Sequence, residues 1–312
     1  MSRNASTNAG EKGHAGTDTP SADDGMDVTA LVAAGEHELV RRRSVGRVVA
    51  GGTILVLAGF AIAILFTNPA FDWPTVGRYL FDVGVLEGIA MTLELTVAAM
   101  LVGIVGGVVL AVMRRSESAL PRNAAALYVW FFRGTPVLVQ VLFWGFAASL
   151  FPRIGIGIPG GGFLVSWDTN TVIPIFAAAV LALGLNEAAY VAEIVRGGLL
   201  SVPHGQSEAA DTLGLGRLAT LRFVVLPQAM RAIIPPIGNQ FISMLKMTSV
   251  VLVIGVGDLL ESVTEIYSRN YLQIPLLIVA SIWYLVLTTL LTLLQARLEK
   301  RFGRSLTRVG EA

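Results

Sequence analysis

Cysteine is absent from the 312 residues. That excludes disulfides, thiol catalysis and cysteine-based metal sites. Histidine is nearly absent too. His14, His37 and His204 are scattered and form no ligand cluster, and His204 sits beside Gly205 as a solvated loop residue. Charged residues make up 14% of the chain, where soluble domains carry about a quarter. The formal net charge of +1 gives no sign of nucleic-acid binding. No GxxxxGK[ST] sequence is present, so the chain is not itself an ATPase by that route. No HExxH and no nucleophile–base pattern appears, which argues against an intramembrane enzyme. No internal repeat is visible, and the acids cluster toward helix ends. An ion-driven secondary carrier predicts the opposite on both counts.

What the chain has is apolar sequence. It is 54% hydrophobic, with a mean hydropathy of +0.68. The pattern predicts an all-α polytopic membrane protein with six transmembrane helices. Residues 1–45 are rich in small polar residues and predict a disordered tail. An N-terminal membrane helix follows at 46–67. It is retained rather than cleaved, because more than forty residues precede its apolar run. The main transmembrane domain is expected at 85–302 and a short tail at 303–312. Its spans are read at about Val85–Met113, Asn123–Phe151, Thr171–Leu200, Met230–Gly257 and Tyr271–Ala296. Asn68–Val83, Pro152–Thr171 and Asp258–Asn270 are read as connections on the outer side. The third helix is expected to continue through Pro136, weakened there. Gly103, Gly106 and Gly107 are expected to let helices pack closely.

Basic residues set the orientation. They cluster before the first span (Arg41, Arg42, Arg43, Arg47), after the second (Arg114, Arg115, Arg122), between the fourth and fifth, and after the sixth. The other connections hold only Arg78, Arg153 and Arg269. Positive loops stay in the cytoplasm, so both termini and the Ser201–Pro227 region are expected there.

That region is the longest polar interruption of the C-terminal half. Glu208-Ala209-Ala210-Asp211-Thr212-Leu213-Gly214 reads as a short helix. Ser207 is its expected N-cap, Glu208 lies in its first turn, and Gly214 ends it in a left-handed cap. Elsewhere, a charge inside the bilayer costs a few kcal/mol and usually serves function. Lys246, with Thr248 and Ser249 close by, suits a substrate carboxylate. Tyr190, Gln140, Asn239 and Gln240 are further candidates for the substrate path. Glu193 and Arg196 share a helix face and can pair.

The EAA segment, followed by Gly214 and Leu226-Pro227, resembles the cytoplasmic coupling loop of ABC importer permeases. Arg133-Gly134-Thr135-Pro136 with Gln140, Ala189-Tyr190-Val191-Ala192-Glu193-Ile194-Val195-Arg196-Gly197, Leu226-Pro227-Gln228-Ala229, and Lys246 with Thr248-Ser249 narrow it to the polar amino acid permeases. The similarity covers roughly Glu87 to Phe302. It implies a five-helix type I ABC permease core, to which the helix at 46–67 is an addition. It implies two ATPase subunits that hold ATP and magnesium, none being bound by this chain. A second permease copy or paralogue, an extracytoplasmic amino-acid-binding protein and a bacterial plasma membrane complete the set. Glu208, Ala209, Ala210, Gly214 and Pro227 are assigned to the ATPase contact. Lys246, Thr248, Ser249, Tyr190, Glu193, Gln140, Asn239 and Gln240 are assigned to the substrate path. Arg133, Gly134, Pro136 and Arg196 are assigned structural or gating roles. One position departs from the family: Met247 stands where an acid is frequent, which shifts the expected substrate from cationic to zwitterionic or anionic. Another small carboxylate-bearing solute is the alternative cargo.

Overall fold

The computed structural model of the chain describes residues 45–158 and 162–303. The tails expected at 1–45 and 303–312 lie, but for Val45 and Gly303, outside these residues. The chain divides into Met1–Ala63 and Ile64–Ala312. The described part of the first unit belongs to helix α1 (Val45–Thr67), whose stretch Val49–Thr67 is long and apolar enough to cross a bilayer.

In the second unit, a 3-10 turn (Pro69–Phe71) and α2 (Trp73–Tyr79) lead into α3 (Val83–Arg114). Then come α4 (Ala119–Gly134), α5 (Val137–Gly145), α6 (Ala147–Leu150), strands β1 (Arg153–Ile158) and β2 (Gly162–Asp168), and α7 (Thr169–Val172). Helix α8 (Ile175–Leu200) precedes α9 (His204–Thr212), α10 (Arg217–Ala219), a π-helical turn (Thr220–Val225) and α11 (Leu226–Met247). A 3-10 segment (Thr248–Ile254), α12 (Leu259–Asn270) and α13 (Gln273–Gly303) finish the chain. The stretches Val83–Arg114, Ile175–Leu200, Arg217–Ile254 and Gln273–Lys300 are each long and apolar enough to span. Helices α4 and α5 make a further span if the two are taken together.

Helices α3 and α8 form the centre and run parallel. A Cβ on Gly184 would meet Val102, one on Gly103 would lie 2.6 Å from Glu187 Cγ, and one on Gly107 would lie 2.5 Å from Val191 Cβ. Any side chain at these places would hold the backbones apart, which is why the glycines of the α3 run read as packing sites. The core beside them joins Leu95, Met100, Val141, Leu183, Met244 and Val251 from α3, α5, α8, α11 and the following 3-10 turn.

Four expectations need correction. The third span is not one weakened helix: it turns by 99° between α4 and α5. Thr135 and Pro136 are both extended, because a residue before proline is pushed out of the helical region. The connection Pro152–Thr171 is not a plain loop but contains an antiparallel hairpin, with Arg153 opposite Asp168 and a bulge at Ile156/Gly157. Asp258–Asn270 is a helix, α12. The Asp258 carboxylate accepts from the N–H groups of Leu260 and Glu261 at 3.2 Å each, an N-cap that charge counting does not reveal. Burial pushes that carboxyl above the usual aspartate range, and the two amide bonds oppose the push. The fifth span starts earlier than Met230. Pro227 sits in the first turn of α11, where a missing N–H is harmless. The Leu226 N–H reaches back to the Leu221 carbonyl through the π turn.

Candidate functional site

The bend at Thr135–Pro136 leaves backbone carbonyls without helical partners. Gln140, four residues after the proline, supplies them. Its Nε2 donates to Phe132 O at 3.1 Å, Thr135 O at 3.2 Å and Thr135 Oγ1 at 2.7 Å. Asn186 on α8 adds Nδ2 to Phe132 O at 2.9 Å and to Gln140 Oε1 at 3.2 Å. Both side chains are buried. Gln140 is thus committed to the elbow and leaves no free group for a substrate. Gly134 and Pro136 form the elbow with it, while the Arg133 guanidinium lies 5.2 Å from the centroid of the Tyr190 ring.

Below the elbow, Glu193 joins two helices. Arg114 Nη1 of α3 lies 2.7 Å from its Oε1, and Arg196 Nη2 lies 2.6 Å from its Oε2. Glu193 and Arg196 pair as their spacing predicted, and Arg114 is the partner that sequence reading missed. This fully engaged carboxylate ties the lower ends of α3 and α8; it presents nothing to a passing solute.

Helix α9 holds the EAA residues. It starts one turn earlier than expected, at His204 after Pro203. Ser207 is therefore inside the helix, and Glu208 lies beyond its first turn. The C-terminal end is as the sequence indicates. Gly214 has φ +74°, its N–H donates to Asp211 O at 2.9 Å, and the Leu215 N–H donates to Ala210 O at 3.0 Å. This pair of bonds is the Schellman arrangement, and only glycine enters it without strain. Glu208 and Ala209 are exposed, whereas Ala210 is buried within the chain. Gln228 on α11 donates to Gln206 Oε1 at 3.2 Å and to Val224 O at 3.0 Å. The short helix is therefore fastened directly to the start of α11, beside the exposed Pro227. A groove of about 660 Å³ runs next to it, with Arg115, Ser207, Asp211 and Arg217 on its walls.

Lys246 lies at the other end of α11. It borders a groove of about 430 Å³ with Ser249 and with Ser281, Tyr284, Leu285 and Thr288 of α13. No acid lies within ion-pair distance of Lys246 among the described residues. Thr248 is not part of this groove: it is fully buried and donates to Leu245 O at 2.8 Å. Ser281, Tyr284 and Thr288 were missed. Their i, i+3, i+7 spacing marks one helix face, a signal submerged in a long apolar run. Asn239 accepts from Gln295 Nε2 at 2.9 Å, near Pro235, whose carbonyl the same amide reaches at 3.3 Å. This ties α13 to α11 at its proline pair. Gln240 faces Glu187, a buried acid of α8. Among the described residues no group of His, Asp and Glu is placed to hold a metal ion.

Residues 103–304 match the family described as "Binding-protein-dependent transport system inner membrane component". The arginine transport system permease protein ArgU of Corynebacterium glutamicum is 43% identical over 274 residues, covering 85% of this chain and 83% of its own. The glutamine transport system permease protein GlnP of Escherichia coli is 34% identical over 231 residues, covering 74% and 97%. A solved amino acid ABC transporter, crystallised with histidines, superposes with a TM-score of 0.59 at 37% identity, covering 70% of this chain and 94% of that one.

Proposed function

This chain belongs to the binding-protein-dependent transport system inner membrane components, and on that premise we propose that it is the permease subunit of an ATP-driven importer that brings a polar amino acid into the cytoplasm. It is a transport subunit and not an enzyme; in such systems partner ATPases hydrolyse ATP, and a binding protein delivers the solute. Relatives that carry arginine and glutamine in their names support the amino acid class. We assign two ATPase subunits with their ATP and magnesium, and a second permease copy or paralogue. The basic clusters support an inner-membrane orientation with both termini and α9 inside the cell.

The observation that carries the reading is mechanical. Helix α9 presents Glu208 and Ala209 outward, is closed by a rigid cap at Gly214, and is bonded to α11 through Gln206–Gln228. The same α11 carries Lys246 in its last turn. A pull on α9 therefore moves the helix that carries Lys246; among the described residues the other lysine is Lys300, near the end of α13. Lys246 and the α13 hydroxyls fit a substrate carboxylate, a cation with neutral donors around it. Such an arrangement converts ATPase closure into a change in which side of the membrane the groove faces.

The deciding experiment is reconstitution with the cognate ATPase and binding protein in liposomes. Amino acid uptake that requires ATP and is lost without the ATPase is the expected result. Uptake by the chain alone, driven by an ion gradient, would overturn the proposal.

A further inference from the structure

We propose that Glu187 is a substrate-selecting carboxylate that receives the cationic end of a basic amino acid; this rests on the importer reading above and names its substrate class. Glu187 is 4% exposed in the middle of α8, a membrane-spanning helix. Its aliphatic part fills the space opposite Gly103, where an added Cβ would come within 2.6 Å of Glu187 Cγ. Its Oε1 is buried with no hydrogen-bond partner. The side chain across from it is the neutral amide of Gln240.

The local cations are all occupied elsewhere. Arg114 and Arg196 are taken by Glu193, Arg133 lies over Tyr190, and Lys246 borders the groove toward α13. An acid buried in a span, with one oxygen left without a hydrogen-bond partner, is placed to receive a positive group as well as to pack against Gly103. Met247 leaves no acid next to Lys246, and Glu187 on α8 is an acid of the membrane span outside the groove that Lys246 borders. The opposing wall can move: α11 carries Pro235 and Pro236 about one turn before Gln240, so the backbone there is weakened where it must swing off α8. The expectation of a zwitterionic or anionic substrate, drawn from Met247 alone, is replaced by this one.

The test is competition between L-arginine and L-glutamine for ATP-driven uptake by the full complex in proteoliposomes. Wild type should favour arginine. Glu187→Gln keeps the shape and removes the charge, and it should lower the arginine-to-glutamine uptake ratio by about ten- to hundredfold, the worth of a charge-assisted hydrogen bond. An unchanged ratio would show Glu187 to be only a hydrogen-bonding partner of Gln240 and would overturn the proposal. If that variant does not assemble, Glu187→Asp decides: a raised KM for arginine supports the role, and an unaltered KM overturns it. Wild type that imports glutamine but refuses arginine defeats this inference and leaves the importer standing. Wild type that imports no amino acid at all with an active ATPase defeats both.

Discussion

The amide groups of Asn186 and Gln140 meet at 3.2 Å across the gap between α8 and the broken span. Together they take up the carbonyl of Phe132 that the break exposes. Gln140→Leu should therefore lower the stability of the purified complex by about 1–3 kcal/mol, the cost of buried polar groups left unpaired. Thermal unfolding in detergent reads this directly. The KM for substrate should hold, because the elbow does not touch cargo; a shifted KM at unchanged melting temperature would return Gln140 to the substrate path.

Gly214 sits at φ +74° at the end of α9. Gly214→Asp should leave membrane insertion intact and abolish ATP-driven uptake, because the residue that closes the coupling helix no longer fits its turn. Gly214→Ala should also impair coupling, at about 1–2 kcal/mol of left-handed backbone strain. Immunoblots of membranes and uptake assays on the same cells separate insertion from transport. Normal uptake by the aspartate variant would show that the cap plays no part in coupling.

Gly107 admits no side chain. A Cβ there would lie 2.5 Å from both Cβ and Cγ1 of Val191 and 3.0 Å from Ala188 O. Gly107→Ala should force α3 and α8 apart and cost about 1–3 kcal/mol, as overpacking usually does. A melting curve checks it, and Val191→Ala in the same chain should recover part of the loss.

Lys246→Met should raise the KM for amino acid uptake by about tenfold or more, since a hydrogen bond from a charged donor contributes about 1.5–3 kcal/mol. Lys246→Arg should recover much of it. Equal KM values in all three chains would remove Lys246 from the substrate path.

The absence of cysteine makes topology easy to read. Ala209→Cys should react with an impermeant maleimide only in inside-out vesicles. Labelling of intact cells would reverse the assigned orientation.

The spans were legible because apolar runs of this length have few other solutions in water or lipid. The Gly214 cap was legible because glycine after a helical stretch has one common use. The start of α9 was misread: Ser207 and Glu208 look like a first turn, but Pro203 opens the helix a turn sooner. The elbow was half legible. Pro136 announces a defect, yet the 99° turn depends on which side chains then satisfy the exposed carbonyls, and Gln140 and Asn186 meet only in three dimensions. Glu187 carried no local signal of its importance. The unpaired state of its Oε1 is a property of what surrounds it, namely Gly103, the single amide of Gln240 and cations engaged with other groups.

The sharp turn after α4 has a bearing on the lipids. The 16 residues of that helix cover about 24 Å along its axis, less than the roughly 30 Å of a typical hydrocarbon layer. The crossing therefore needs α5 as well, joined to it across the 99° turn. A span assembled from two legs adjusts to a different hydrocarbon thickness through the angle at Thr135–Pro136, where a single straight helix would have to tilt as a whole.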